Sequence, residues 1–123
     1  MVYVGAGLAG LLAVAIIVVG ICYLVAPLAT AATFGLPGRA SESTVGWLHV
    51  KGIRDVVPGL LGLYLLATRQ FDTLGWVVLI IALIPIGDTL IVLGHQGSKG
   101  RAYGIHAATA VALVVAALLL LLG

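Results

Sequence analysis

No Lys, Arg, Asp or Glu occurs in this chain before Arg39, and from Leu11 to Ala26 the only interruptions to an apolar run are Gly20, Cys22 and Tyr23. Taken as an α-helix, Val2 to Ala26 would extend about 37 Å at about 1.5 Å per residue, more than the roughly 30 Å of a bilayer's hydrocarbon core. The rest of the chain is almost as apolar. Hydrophobic residues make up 63% and charged residues 8%, against about 45–50% and about 25% in soluble domains. A water-soluble fold of 123 residues has too little interior to hide that much apolar surface. The composition predicts an integral membrane protein of the all-α, polytopic class.

Gly5, Gly7 and Gly10 spell G-x-G-x-x-G behind a short β-branched run. A dinucleotide loop needs an acidic residue about 20 positions further on to hold a ribose hydroxyl, and the first carboxylate here is Glu42. The glycines are therefore assigned to a membrane helix, where small residues let a neighbouring helix approach. Ala29-Thr30-Ala31 could imitate a signal-peptidase site, but the run before it is too long for a signal core and has no basic residue ahead of it. Cys22 is the only cysteine, which leaves no intramolecular disulfide, CxxC pair or thiolate metal site. The six basic residues are scattered rather than striped, so no nucleic-acid partner is expected.

Four apolar blocks are readable, at about residues 2–26, 45–68, 74–93 and 102–122. Pro27 stops the first, and Asp72 is expected to cap the third. Their connections are short and punctuated by Gly, Pro or charge, which predicts one domain over residues 1–123: an up-and-down bundle of four transmembrane helices. Outside the blocks little sequence is left, so activity is expected within the bilayer. Arg39, Lys99 and Arg101 fall in the first and third connections, with Lys51 and Arg54 nearby, and Arg69 alone falls in the second. The positive-inside bias then turns both termini away from the cytoplasm, in a cell (inner) membrane with lipids as partners.

The informative stretch is WLHVKGIRDVVPGLLG, residues 47–62. At 100° per residue, Lys51, Arg54, Asp55, Pro58, Gly59 and Gly62 share a face of about 140°. Ions in a membrane helix cost several kcal/mol unless paired or hydrated, so that face should meet protein. Arg54 is expected to reach Asp88, which lies in ALIPIGDTLIV beyond the helix-loosening Pro85 and Gly87. On the last helix Tyr103, His106 and Thr109 should share a side. The expected ligand-binding set is Lys51, Arg54, Asp55, Asp88, Tyr103, His106 and Thr109, gathered in the cytoplasmic-side leaflet.

Three uses of that set stay open. It can bind a small amphipathic molecule or a lipid headgroup. It can lock three helices through a buried ion pair in a structural or self-associating subunit, a homo-oligomer joined through glycine grooves. Or Asp88 and His106 can act as acid and base in a cofactor-free, isomerase-like proton transfer on an apolar substrate. No metal or cofactor is expected: His49 falls far from the charged stripe, and no HxxxH or HExxH pair is present.

FGLP, VKGIRD, ALIPIGDTLIVL and GIHAAT together resemble a family of small integral membrane proteins, domain of unknown function 4267, over about Tyr23 to Val111. The resemblance implies four membrane helices but no activity, and makes Gly52, Arg54, Asp55, Pro85, Gly87, Asp88 and His106 its motif positions. Small multidrug transporters are similar in length and helix count. They depend on a carboxylate midway along helix one, and here that helix has none.

Overall fold

A computed structural model describes the chain from Met1 to Gly123. It is all-helical and has no strand: α1 (Val2–Val25), α2 (Pro27–Ala32), a 3₁₀ turn (Glu42–Thr44), α3 (Val45–Ala67), α4 (Phe71–Ile81), α5 (Leu83–Gly94) and α6 (Lys99–Leu122). Three stretches are long and apolar enough to cross a membrane: α1, α4 with α5 (Phe71–Gly94), and α6. α3 is nearly as long but carries Lys51, Arg54 and Asp55.

Local chemistry explains most of the boundaries. Pro27 ends α1 as expected and also opens α2 as its first residue, because a proline without an N–H loses nothing in a first turn. The connection therefore contains a short helix. The third block starts earlier than expected: α4 begins at Phe71 with Gln70 at its N-cap. Asp72 sits inside the first turn, where its charge faces the positive end of the helix dipole instead of capping it. Pro85 cannot donate to the carbonyl of Ile81 and its ring crowds that carbonyl, and the α4–α5 rod breaks one residue later, at Ala82. α6 also starts early, at Lys99, where the Ser98 hydroxyl accepts from the Arg101 N–H at 3.2 Å. Within α6, Ala102–Ala107 form a π-helical segment.

Small residues set the packing. α1 and α3 run antiparallel with Gly20 against Gly52 and Gly59 against Ala13. A Cβ on Gly20 would lie 2.6 Å from the Gly52 carbonyl oxygen, and one on Gly59 would lie 2.7 Å from that of Ala13. Gly5 and Gly75 let α1 and α4 approach the far end of α6 at Leu119–Leu121. The apolar core lies toward that end and includes Ala6, Leu65, Leu74, Val78, Leu113 and Ala117.

At the other end the helices spread. α3 meets α4 near their short connection, α5 packs on the π segment of α6, and α3 and α5 share no extended interface. The segment after α2 closes over this end. Gly35, at φ +106°, accepts from the Ser98 N–H at 2.8 Å, and the Arg101 guanidinium donates to the Ala32 carbonyl.

Candidate functional site

The space between α3 and α5 is a cavity of 270 Å³, bounded also by α1, α4, α6 and the Thr33–Phe34 segment. Its walls change character along its length. Lys51, Arg54, Asp55, Asp88, His106 and Tyr23 line one end, and side chains such as Ile16, Val78, Ile81 and Leu113 line the rest.

Glycine and proline in α3 shape one wall. Gly59 and Gly62 bring α3 against Ala13 of α1, which turns Asp55 inward until its residue is only 8% exposed. One turn earlier, Lys51 Nζ donates to Asp55 Oδ2 at 2.8 Å. The same ammonium lies 4.5 Å from the ring centre of Tyr23 and 5.2 Å from that of Phe34, within the range of cation–π attraction. Lys51 is thus held on three sides.

α6 supplies the opposite wall. His106 is 7% exposed, and its Nε2 lies 2.8 Å from the Phe34 carbonyl oxygen. A carbonyl only accepts, so Nε2 carries the proton. That assignment leaves Nδ1 facing Asp88 Oδ2 at 3.8 Å, too long for a hydrogen bond. The Phe34 ring lies against the imidazole at 4.4 Å between centres. Thr109 donates its hydroxyl to the Ile105 carbonyl at 2.6 Å and reaches the cavity along its edge.

Six of the seven residues expected to bind ligand therefore line this one cavity, and Tyr103 does not. Tyr103 is 60% exposed because of the π segment. An i→i+5 turn advances about 80° per residue rather than 100°, so three residues separate Tyr103 from His106 by about 240°, and the ring swings off the shared face. A second expectation also changes. Arg54 makes no ion pair with Asp88, which has His106 as its neighbour at 3.8 Å while Asp55 has Lys51 at 2.8 Å. Arg54 is exposed at the cavity wall and its guanidinium has no carboxylate partner. Tyr23 and Phe34 were missed. Tyr23 looks like any apolar helix residue at its position, whereas Phe34 belongs to the FGLP string that carries the family resemblance.

The family model for Domain of unknown function (DUF4267) matches residues 13–120. The chain belongs to that family. The matched range takes in every residue of the polar end, from Tyr23 to His106, and reaches almost to the end of α6. No curated protein and no solved structure matches the chain.

Proposed function

We propose that this family member binds a small amphipathic molecule, or the headgroup of a lipid, inside the membrane. The observation that carries the reading is the graded cavity, with ionic side chains from α3, α5 and α6 at one end and aliphatic walls over the remainder. Sites of this kind, apolar with a few convergent polar groups, are the usual form of small-molecule pockets. In this reading α3 is a fourth span, tolerated because Lys51, Arg54 and Asp55 line the cavity rather than lipid. The chain then forms an up-and-down bundle of four transmembrane helices. Its polar end lies on the cytoplasmic side of the cell membrane, with Arg39, Lys99 and Arg101, and both termini lie opposite.

The expected test is mass spectrometry of small molecules released from the purified protein in nanodiscs. A discrete species retained by the wild type and lost in Asp88→Asn and Arg54→Ala supports the pocket. Bulk lipid alone from all three proteins would reject it.

The His106 geometry favours one alternative, acid–base chemistry. Its Nε2 is held by a backbone carbonyl and its Nδ1 faces a carboxylate across the cavity, an arrangement suited to proton transfer. Activity on an apolar substrate that survives both His106→Gln and Asp88→Asn would eliminate this reading. A lock between helices has less support, since the one short ion pair, Lys51 with Asp55, lies within α3.

A further inference from the structure

The polar end is uneven in how its charges are used. Lys51 is committed to Asp55 at 2.8 Å and enclosed by two aromatic rings. His106 and Asp88 face each other at 3.8 Å. Each of these carboxylates has a basic side chain beside it, and Arg54 is the cation lining this end that has no carboxylate partner. Neither its guanidinium nor the Tyr23 hydroxyl donates a hydrogen bond within the protein, so both are free to serve an acceptor in the cavity.

Shape restricts the occupant further. The volume of 270 Å³ falls just under the range of about 300–1,000 Å³ typical of pockets for drug-sized ligands, enough for one alkyl chain and too little for two. Arg54 and Pro58 on α3 and Ile84 and Asp88 on α5 flank the side where these helices do not pack together. Arg54 and Ile84 are both exposed, so the cavity reaches the surroundings of the bundle on that side.

We infer that the occupant is a single-chain amphiphile with an anionic carboxylate or phosphate headgroup, which slips in sideways between α3 and α5 and places its head on Arg54. Its tail lies along Ile16, Val78 and Leu113. A planar guanidinium suits both oxyanions because its fork of donors engages two oxygens at once. The inference rests on the pocket reading above and adds the sign of the headgroup charge and the number of chains.

The test uses the full chain in phosphatidylcholine nanodiscs, with binding of laurate, dodecyl phosphate, dodecanol and dodecylamine measured by native mass spectrometry. Expected is one laurate or dodecyl phosphate per chain, bound at least about tenfold more tightly than dodecanol or dodecylamine. Which of the two anions binds more tightly identifies the headgroup source. Arg54→Gln should lose that preference and Arg54→Lys should keep most of it. Ile84→Trp, at an exposed position on the opening, should exclude all four probes. If dodecanol or dodecylamine binds as well as the anions and is still excluded by Ile84→Trp, or if Arg54→Gln retains the preference, the anionic head is overturned while the pocket stands. If no probe binds above the empty-nanodisc background, the pocket and this inference fall together.

Discussion

His106 does two jobs at the scale of a single side chain, and they are separable. Its Nε2 tethers the Phe34 carbonyl at 2.8 Å while Nδ1 faces Asp88. His106→Ala leaves a half-buried carbonyl without its donor and removes the ring that Phe34 rests on, an expected loss of about 1–3 kcal/mol. Thermal unfolding in detergent should show it, together with faster hydrogen exchange at residues 33–35. Unchanged exchange there would mean that the contact does not hold the segment. Lys51 and Asp55 make a different prediction. Asp55→Ala strands an ammonium between two rings and should cost about 1–3 kcal/mol, moderated by the one-third exposure of the lysine side chain. Replacing both, as Lys51→Met with Asp55→Leu, should recover most of that stability. A double replacement as harmful as the single one would contradict this view of the pair.

Glycine decides how the elements approach, and position decides what each glycine is for. Gly59 faces the Ala13 carbonyl closely enough that a methyl group must push α1 and α3 apart, so Gly59→Ala should destabilise the protein by about 1–3 kcal/mol. Gly46 has nothing within 4 Å of its would-be Cβ and lies in the first turn of α3. There Gly46→Ala should be neutral or stabilise by up to about 1 kcal/mol through helix propensity. Parallel unfolding curves for the two variants check both signs at once, and equal effects would remove the close seam as an explanation. The breaks matter as much as the seams. The Pro85 break at Ala82 and the π segment at Ala102–Ala107 flank the polar end, and each re-aims the side chains that follow it.

In the whole molecule, the ends of the bundle differ. Residues 33–44 and 95–98 gather at the polar end, and the α3–α4 connection lies at the end shared by Val2 and Leu121. If α3 spans the membrane, Ser43→Cys and Ser98→Cys in a Cys22→Ser background should label from one side, and Asp72→Cys from the other. Labelling of all three positions from the same side would remove α3 from the membrane and with it the four-span bundle. The lack of an extended interface between α3 and α5 also makes the site a property of the assembled helices, since no single element contains a pocket.

Membrane character was legible in the sequence because it depends on runs of apolar residues, which are local and need no neighbours to be recognised. So was much of the polar end: charges are costly in an apolar helix wherever it packs, and Lys51, Arg54, Asp55, Asp88 and His106 were conspicuous on that ground alone. Which residue meets Asp88 was a tertiary matter. Lys51 and Asp55 pair at i,i+4 within one helix, but only the packing of α5 against α6 sets Asp88 beside His106 and leaves Arg54 without a carboxylate. Tyr103 was misplaced because regular helical spacing was assumed through a segment that π-type hydrogen bonding rewinds. The cavity's volume and its place between α3 and α5 were beyond any one-dimensional reading, because that space exists only where these two helices fail to touch.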